Sequence, residues 1–348
     1  MVPAPGEPGS ETWKDKAEAW RTGGGALYVT GSYDPQTNLT YWGTGNPAPR
    51  YDSAYRPGDN LFTESTVAFD AATGKMQWYF QYTANDNRDY DASGSQIIVD
   101  GKVNGEDRKL IVHADRDGFN YTIERLNGQF LKAVQYGDKV TWTKGIDPKT
   151  GKPVDYDPNR DVQLYAGIGQ RRNKPGQESC PWYSGSPTFF PPTFDAKRMI
   201  AYVSGAEGCS GGTIVRTPMD EQKDWVGLRM CCQEQGRATA HGALWALDVR
   251  TGKIVGKAQY PVPNESGMLS TDGDLVFTGH STGNLAAYDA DTVKELWSFS
   301  LGTPITAPPM TFAVGGRQYI AVNVGGDAGL RGAVLYQPSA FVAVFGLP

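Results

Sequence analysis

Oxygen-bearing side chains that could bind a cation are concentrated between residues 46 and 116 of the chain. They are the amide of Asn46 and the carboxylates of Asp89 and Asp91, which are two residues apart. On an extended segment, positions i and i+2 point to the same side, so the two carboxylates would face the same way. Amide and carboxylate oxygens are ligands of hard cations, and the guanidinium of Arg116 suits an anionic ligand. The pattern predicts a cation site beside an anionic ligand.

A simpler interpretation of the same residues is that they form loops. Asn, Asp and Gly are turn formers, and the chain contains 43 Gly. Oxygen ligands also lack the diagnostic spacing of Cys and His ligands. Composition alone therefore favours the loop interpretation.

Length and composition predict a globular, loop-rich β-protein. The 348 residues are 39% hydrophobic and 20% charged, with 23 Pro, nine Trp and 18 Tyr. Such a chain is long enough for a large core, and its many aromatic residues favour strands over helices. The net charge of −5 and the scattered Lys and Arg residues provide no basic patch, so nucleic acid is not an expected partner.

The sequence predicts neither a membrane span nor an export signal within the chain. Residues 1–9 lack both the charged and the apolar region of a signal peptide. A spanning helix needs a run of about 18 apolar residues, and no such run occurs.

The four cysteines are open to several interpretations. Cys180 and Cys209 flank a strand-like segment at 198–203, so a hairpin could join them in a disulfide, and two buried thiols are an equal alternative. Cys231 and Cys232 are adjacent and are expected to be free thiols. No Cys-x-x-Cys-His motif occurs, so no covalent haem is expected. Packing or strand-end positions, rather than zinc binding, are expected for the histidines, which are His113, His241 and His280.

An eleven-residue phrase recurs along the chain. It occupies residues 68–78, where it contains Asp-x-x-Thr-Gly and ends in Trp78, and similar phrases occupy 246–256 and 287–297, with a fainter copy at 122–132. A strand, a tight turn and a second strand ending in Trp form a hairpin with a packing residue at its end. A β-sandwich also predicts many short strands, but it does not predict a recurring phrase.

The phrases and the hairpins that precede them divide the chain into five expected four-stranded units. Antiparallel units at a spacing of roughly 40 to 50 residues are typical of β-propeller blades. We therefore predict an all-β fold and a single partial β-propeller domain over residues 1–348. The expected blades lie at about 26–80, 94–135, 190–258, 265–300 and 303–348, and 136–189 is expected to be an insertion or cap loop.

Several motifs, in one order, resemble a known family. They include Gly-Gly-Gly at 23–25, Tyr-Trp-Gly-Thr-Gly-Asn-Pro at 41–47, Arg-Pro-Gly-Asp-Asn at 56–60 and Asp-Arg-Asp-Gly at 115–118. With the Trp-bearing phrases, they resemble the pyrroloquinoline-quinone (PQQ)-dependent alcohol dehydrogenases. The chain is closest in kind to the large subunit of methanol dehydrogenase and its lanthanide-dependent relatives. The resemblance covers essentially the whole chain and overturns the loop interpretation.

The resemblance implies an eight-bladed propeller with PQQ in its central funnel, above a Ca²⁺ or lanthanide ion. It implies that Asn46 binds the metal and the cofactor, that Asp89 is the catalytic carboxylate and binds the metal, and that Arg116 touches the quinone oxygens. Asp91 matches the extra carboxylate of lanthanide-dependent members. One more carboxylate neutralises a trivalent cation better than a divalent one, so we expect a lanthanide(III) ion, with Ca²⁺ as the alternative.

Three positions depart from the family pattern. Tyr28 stands where the family places a Trp under the PQQ ring, Ala26 replaces a hydroxyl-bearing residue, and Thr188 takes the place of a cofactor-touching Asn. Tyr28 and Thr188 remain candidate cofactor-binding residues, because a Tyr ring can still stack. Cys180 and Cys209 match a structural disulfide of the family, which favours the bridge.

The reaction that the resemblance implies is the oxidation of an alcohol to an aldehyde. Asp89 would take the hydroxyl proton, and hydride would pass to C5 of PQQ while the metal polarises the carbonyl. A separate cytochrome c in the periplasm would then accept the electrons, and a homodimer is compatible with the family. The front blades and the export signal of the family have no counterpart here, so the chain is expected to be a C-terminal portion of about five blades.

Two other functions remain open at this stage. One is a non-catalytic propeller that binds other proteins, and the other is a PQQ-dependent membrane-bound sugar dehydrogenase. The first does not explain two carboxylates facing one site. The second is weakened by the lack of a membrane segment.

Overall fold

The computed structural model of the chain consists almost entirely of antiparallel β-strands. It describes residues 1–14, 18–21, 23–103, 105–167, 178–182, 185–210, 213–214, 228–229, 240–326 and 339–347. Short 3-10 turns occur among these residues at Ser10–Thr12, Ala19–Arg21 and Tyr165–Gly167. Within the described part, no helix is long and apolar enough to cross a bilayer.

The strands follow one another as antiparallel hairpins along the chain. In chain order they are β1 (Ser32–Asp34), β2 (Leu39–Gly43), β3 (Ser65–Asp70), β4 (Met76–Gln81), β5 (Ile97–Val103), β6 (Glu106–Ala114), β7 (Phe119–Glu124), β8 (Phe130–Gln135), β9 (Thr193–Asp195), β10 (Ile200–Glu207), β11 (Thr213–Ile214), β12 (Leu228–Arg229), β13 (His241–Asp248), β14 (Ile254–Tyr260), β15 (Met268–Thr271), β16 (Leu275–Gly279), β17 (Asn284–Asp289), β18 (Glu295–Ser300), β19 (Met310–Val314), β20 (Arg317–Val324) and β21 (Phe341–Gly346).

These strands belong to two compact units. The first comprises residues 1–188 and 208–238, and the second comprises 189–207 and 239–348. The first unit contains the four-stranded sheets β1-β2-β3-β4 and β5-β6-β7-β8 and the pair β11-β12. The second unit contains the four-stranded sheets β9-β10-β13-β14 and β15-β16-β17-β18 and the three-stranded sheet β19-β20-β21. The prediction of an all-β fold built from antiparallel sheets is confirmed.

The last sheet differs from the expected four-stranded unit at 303–348. Three strands form it in the described part of the chain. The residues before β19 include Pro304, Pro308 and Pro309, which have no N–H group to donate to a strand ladder. In this stretch Ile305 makes only an isolated bridge to Gly325. The prolines therefore explain why no strand precedes β19.

The residues expected to form an insertion or cap loop, 136–189, contain no strand in their described parts. They do contain a turn that the sequence analysis did not recognise as another copy of the repeated phrase. The Oδ1 atom of Asp147 accepts hydrogen bonds from the backbone N–H groups of Lys149 (2.9 Å) and Thr150 (2.8 Å). Gly151 follows with a φ of 73°. The turn motif thus forms even where no sheet surrounds it.

A shared hydrogen-bond pattern explains why the repeated phrase makes a turn. In the first copy, Oδ1 of Asp70 accepts from the backbone N–H groups of Ala72 (3.1 Å) and Thr73 (2.7 Å) and from the Thr73 hydroxyl (2.8 Å). Gly74 then adopts a φ of 69°, which suits glycine. The same pattern recurs around Asp248 and Asp289, although Val293 takes the glycine position in the last copy.

Aromatic packing holds the two four-stranded sheets of the first unit together. Trp78, the last residue of the first repeated phrase, is buried, and its indole N–H donates to the carbonyl of Arg125 (3.1 Å) in the turn after β7. The Trp78 ring lies against Gly128 of the same turn. Trp297, at the matching position of the last copy, is 40% exposed. Its ring still packs edge-on against Phe345 of β21, with the ring centroids 5.5 Å apart. The terminal Trp therefore packs in both copies, but only Trp78 is buried.

The contact between Trp78 and Gly128 gives a stability test. A Cβ at Gly128 would lie 2.6 Å from the Trp78 ring, and its φ is +74°. Gly74 has a similar φ of +69° but has nothing within 4 Å of a Cβ. We expect Gly74→Ala to cost about 1–2 kcal/mol from the left-handed backbone alone. Gly128→Ala should cost about 1–3 kcal/mol more, because the ring must move.

Urea unfolding followed by far-UV circular dichroism measures both losses. Gly74→Ala is the matched control, since it changes the same turn position without the clash. Equal losses for the two variants would contradict the packing role assigned to Trp78.

Candidate active site

The candidate site is built by three connections of the first unit: the loop after β2, the loop after β4 and the turn between β6 and β7. Glycines let the loop after β2 and the loop after β4 pass close together. A Cβ on Gly43 would lie 2.0 Å from the carbonyl oxygen of Ala92, and one on Gly45 would lie 2.9 Å from Oδ1 of Asp91. Asp91 can therefore approach the loop after β2 only because residue 45 has no side chain.

Arg116 joins the two carboxylate-bearing residues. Its Nη1 atom donates to Oδ2 of Asp91 (2.6 Å) and to the backbone carbonyl of Asp89 (2.7 Å). The other oxygen of Asp91 accepts the backbone N–H of Asn46 (2.7 Å). Asp89, Asp91 and Arg116 are all buried, and Asn46 is partly buried. The structure thus brings these four predicted residues into one cluster.

The loop that carries Asp89 is held in an uncommon conformation. Asp89 has a φ of 70°, a region that few residues other than glycine adopt. Its N–H donates to Oδ2 of Asp86 (2.9 Å), whose Oδ1 accepts the N–H of Arg88 (2.9 Å). The buried guanidinium of Arg56 donates to the backbone carbonyl of Asp86. These bonds fix the backbone that presents the Asp89 carboxylate.

The Asp89 carboxylate is paired with a residue that the sequence analysis did not identify. Its Oδ2 atom lies 3.1 Å from Nη1 of Arg50. Burial, followed by repulsion from Asp91, raises the pKa of Asp89 to about 7, although Arg116 and Arg50 oppose the rise. A carboxyl with a pKa near neutrality can exchange a proton at physiological pH.

The carboxylates of the cluster are paired with guanidinium groups and do not converge on one point. Asp89 faces Arg50, whereas Asp91 faces Arg116 and the Asn46 N–H. Among the described residues, the only trio of Asp, Glu, His or Cys ligand atoms within 4.8 Å of one another is Glu178, Cys180 and Cys209. Both cysteines of that trio are used in a disulfide. A cation at the candidate site would therefore have to compete with the arginines.

Asn46 is anchored by its amide nitrogen and by its backbone carbonyl. Its Nδ2 atom donates to the carbonyl of Pro47 (3.0 Å), and its backbone carbonyl accepts the N–H of Gly25 (2.9 Å). The amide nitrogen and the backbone oxygen are thus engaged within the loop. The sequence prediction for Asn46 remains a prediction, but its orientation is compatible with it.

Tyr28 and Thr188 lie on either side of Ser93 and Gly94. The Tyr28 hydroxyl is 2.7 Å from Oγ of Ser93, whereas the residue as a whole is 50% exposed. A Cβ on Gly94 would lie 3.1 Å from the carbonyl oxygen of Thr188. Both candidate cofactor-binding residues are therefore near the loop that carries Asp91, and Tyr28 is half exposed.

Buried polar atoms without a protein partner test whether the site suits a polar ligand and a cation. Within the described residues, Nε of Arg116, Oγ1 of Thr188 and both carboxylate oxygens of Glu64 make no hydrogen bond. Buried polar groups in native proteins are seldom left in this state. A guanidinium and a hydroxyl suit a quinone that bears carboxylates, and an all-oxygen donor set suits a hard cation. The types of donor present therefore suit both groups, although a cation would require the carboxylates to leave their arginines.

Sequence reasoning missed Arg50, Ser93 and Glu64. Arg50 and Ser93 belong to no recognisable motif, because each contacts a partner that is far away in the sequence. Glu64 offered a weak signal, because it is a charged residue immediately before the apolar strand β3. Its complete burial shows that the signal was informative.

The disulfide and the histidines follow the sequence analysis. Cys180 and Cys209 are bonded with an S–S distance of 2.04 Å, and the neighbouring Ser179 and Ser210 form a β-bridge. The expectation for Cys231 and Cys232 falls outside the described residues. Burial lowers the pKa of His113 to about 3, and Nε2 of His113 lies 3.0 Å from Oδ2 of Asp115. A neutral buried imidazole fits the packing role expected for His113.

The antiparallel sheets, the recurring Asp turns and the oxygen-rich loop cluster agree with the β-propeller quinoproteins that the motifs resemble. Residues 3–139 and 256–320 match the family described as "Glucose/ethanol/alcohol dehydrogenase, beta-propeller domain", which carries the short name PQQ. The chain belongs to this family. The resemblance seen in the motifs is thereby confirmed.

Known proteins agree with this membership in sequence and in structure. Quinoprotein alcohol dehydrogenase PedE of Pseudomonas putida is 34% identical over 329 residues, which are 92% of this chain and 51% of that protein. The lanthanide-dependent methanol dehydrogenase of Methylorubrum extorquens is 32% identical over 340 residues, with 97% of this chain and 56% of that protein covered. The crystal structure of quinohemoprotein alcohol dehydrogenase from Comamonas testosteroni superposes with a TM-score of 0.85 at 31% identity, covering 97% of this chain and 51% of that one. The chain thus spans about half the length of these relatives.

The ion pair between Arg116 and Asp91 predicts a strong energetic coupling. Arg116→Gln should destabilise the metal-free chain by about 3–5 kcal/mol, because it leaves a buried carboxylate unpaired. Asp91→Asn should also destabilise it, because it leaves the guanidinium without its partner. The double variant should lose less than the sum of the two, with a coupling of at least about 1 kcal/mol.

Urea unfolding of the four proteins, in the presence of a chelator, measures the cycle. The double variant serves as the internal control, because it removes both charges together. Losses that add within about 0.5 kcal/mol would show that the pair is not an energetic unit.

Proposed function

We propose that this chain carries the cation- and quinone-binding site of a PQQ-dependent alcohol dehydrogenase, which oxidises alcohols to aldehydes. The observation that carries the proposal is the clustering of Asn46, Asp89, Asp91 and Arg116 in one buried site of the first unit. Similarity to quinoprotein alcohol dehydrogenases supports it, as does the match to the PQQ family. A protein-binding propeller has no need for such a buried charge cluster.

Each group of the site has a proposed role. Asn46, Asp89 and Asp91 would hold the cation, and Arg116, Thr188 and Asn46 would bind the polar edge of the quinone. Tyr28, which is half exposed, would stack its ring on the quinone plane. When bound, PQQ supplies a hydride acceptor and the cation supplies Lewis acidity. The list of proposed binding residues is Tyr28, Asn46, Asp89, Asp91, Arg116 and Thr188.

Asp89 is the proposed general base. Its carboxylate would accept the hydroxyl proton of the alcohol, and Arg50 at 3.1 Å would favour the ionised form that can do so. Burial within the loop keeps competing water away from the carboxylate. Arg116, which touches the backbone of Asp89 and the carboxylate of Asp91, would hold both residues in place and stabilise negative charge on the ligand.

The charge of the site supports a trivalent cation over a divalent one. Asp89 and Asp91 are two residues apart and both buried, and repulsion from Asp91 contributes to the raised pKa of Asp89. A cation of higher charge offsets more of that repulsion. One of the relatives is named a lanthanide-dependent methanol dehydrogenase, which agrees with this preference. We therefore propose a lanthanide(III) ion, with Ca²⁺ as the weaker alternative.

The remaining parts of the proposal concern electron transfer and location. The proposed electron acceptor is a cytochrome c, because reduced PQQ needs a one-electron acceptor. A periplasmic location follows from that partner and is compatible with the Cys180–Cys209 disulfide, since disulfides persist in oxidising compartments.

Cation preference tests the role of Asp91. The wild-type chain should bind La³⁺ at least about tenfold more tightly than Ca²⁺, because one more carboxylate favours the higher charge. Asp91→Asn should weaken La³⁺ binding more than Ca²⁺ binding and so narrow the difference. Isothermal titration calorimetry at constant ionic strength gives both affinities, and equal affinity of the wild type for the two ions would refute the lanthanide assignment.

The role of Asp89 as the base is tested by separating binding from turnover. Asp89→Asn keeps the size of the side chain and one oxygen donor but removes the proton acceptor. We expect dye-linked oxidation of a primary alcohol by the protein loaded with PQQ and La³⁺ to fall by a factor of about 10²–10⁴. La³⁺ should still bind, with reduced affinity. A variant that keeps its rate would assign the base to another residue.

A further inference from the structure

Arg50 carries a partly exposed guanidinium at the candidate site. Its side chain is 30% exposed, whereas that of its partner Asp89 is 6% exposed. Arg56 and Arg116, from the connections that build the site, are buried. Arg116 shows that a guanidinium paired with a carboxylate can be enclosed here, because it is buried beside Asp91. The exposure of Arg50 instead leaves its positive charge within reach of a molecule from solvent.

The backbone of Arg50 is held by the buried side chain of Arg56. Nε of Arg56 donates to the carbonyl of Pro49 (3.0 Å), and Nη2 donates to the carbonyl of Arg50 (2.9 Å). The Arg50 guanidinium itself lies over the ring of Tyr51, 5.6 Å from the ring centroid. A charged group presented from a fixed segment loses less conformational freedom when it binds a ligand. Arg50 is therefore suited to bind an anion.

A cation at the proposed site would change the pairing of Arg50. Asp89 is one of the proposed cation ligands, and its Oδ2 atom now accepts a hydrogen bond from Nη1 of Arg50 (3.1 Å). Binding of the cation by Asp89 would release that N–H group. A carboxylate is the natural replacement, because the planar guanidinium can donate two parallel hydrogen bonds to its two oxygens.

The short distance between Arg50 and Asp89 limits the size of a ligand that contacts both. Nη1 of Arg50 and Oδ2 of Asp89 are 3.1 Å apart. A hydroxyl bonded to Asp89 and a carboxylate bonded to Arg50 would each lie at about 2.8 Å, so the two ligand groups would be within roughly 9 Å of each other. A small molecule that carries both groups meets this limit.

We propose that Arg50 binds a carboxylate on the alcohol that this site oxidises, so that its substrates are short hydroxycarboxylates. The inference rests on the proposed function, because it uses Asp89 as the base and a cation as its new partner. A carboxylate of PQQ is another source of the same chemistry. Arg116, which is buried beside Asp91, is the proposed contact of the quinone, whereas Arg50 is on the more exposed side, where a substrate enters. Arg50 is accordingly assigned to the substrate.

The experiment compares two probes of similar size on the chain loaded with La³⁺. The probes are 3-hydroxypropionate, which carries a carboxylate, and 1,3-propanediol, which is neutral, and isothermal titration calorimetry gives both affinities. The wild type should prefer 3-hydroxypropionate by at least about tenfold, because a hydrogen bond between charged groups is stronger than one between neutral groups. Arg50→Gln should lower that preference by at least about tenfold. Carboxylate that binds La³⁺ directly would do so equally in both proteins, so it does not contribute to the change.

Arg108→Gln is the matched control. The Arg108 side chain is 33% exposed and pairs with Glu106 and Glu124, so it resembles Arg50 in exposure and in having a carboxylate partner. It is near the start of β6, at the end of the strand away from the 115–118 turn. This variant should keep the wild-type preference. Circular dichroism verifies the fold of each protein. If Arg50→Gln does not fold, Arg50→Lys takes its place, because it keeps the charge but loses the two parallel donors, and it should lower the preference by at least about threefold.

A titration with PQQ distinguishes the two sources of carboxylate. The La³⁺-loaded wild type and Arg50→Gln should bind PQQ with the same affinity, within about threefold, since Arg50 is assigned to the substrate. A loss of PQQ affinity in Arg50→Gln with an unchanged preference between the probes would assign Arg50 to the cofactor and overturn the inference.

The remaining outcomes separate this inference from the proposed function. Wild-type chain that does not bind La³⁺ would overturn the proposed cation site and the inference with it. Wild-type chain that binds La³⁺ but does not distinguish the probes, or an Arg50 variant that keeps the full preference, would overturn only the role of Arg50. A preference that is lost in the Arg50 variant and kept in Arg108→Gln would support it.

Discussion

The compensation of buried negative charge is the constraint on which the site depends. Asp86, Asp89, Asp91 and Glu64 all lie in the interior of the first unit, where an unpaired carboxylate is costly. Arg116 neutralises Asp91 and also bonds to the backbone of Asp89. One guanidinium thereby links the turn between β6 and β7 to the loop after β4. The site keeps its shape because its charges must be paired, not because its loops are intrinsically rigid.

The pairing of carboxylates with arginines also determines what a cation would have to displace in order to bind. Arg50 and Arg116 hold Asp89 and Asp91 in place of a cation, so binding of a metal would require a guanidinium to give up a carboxylate. A charged hydrogen bond between Arg and carboxylate is itself strong, so an ion of higher charge would compete better for these carboxylates. Under the proposed function, charge compensation within the protein would contribute to selectivity among cations.

The parts of the fold that could be predicted from the sequence are those with local causes. The Asp-x-x-Thr-Gly phrase forms its turn through hydrogen bonds to the Asp70 side chain within the phrase itself, so each copy predicts a hairpin. Because the hydrogen bonds lie within the phrase, the overlooked copy at Asp147 also forms the turn although no sheet surrounds it. The missing strand before β19 could have been foreseen from the prolines at 304, 308 and 309.

The parts of the site that could not be predicted depend on contacts between distant segments. Asp89 and Arg116 were recognised because their motifs resemble a family, whereas Arg50 pairs with Asp89 across 39 residues and Ser93 meets Tyr28 across 65. Glu64 was overlooked because its burial follows from the passage of the chain against Gly45, and its position immediately before β3 was the one local signal. Burial also depends on distant segments: Trp297 packs against Phe345 as its phrase predicts, yet it remains 40% exposed, whereas Trp78 is buried.

The close approach at Gly45 limits how this site can diversify. Any other amino acid at residue 45 would bring at least a methyl group to within 2.9 Å of the Asp91 carboxylate. That route to a modified pocket is blocked by sterics, whatever the chemical character of the new side chain. A change in the shape of this space would have to come from neighbours of residue 45, such as Ala26 and Tyr28.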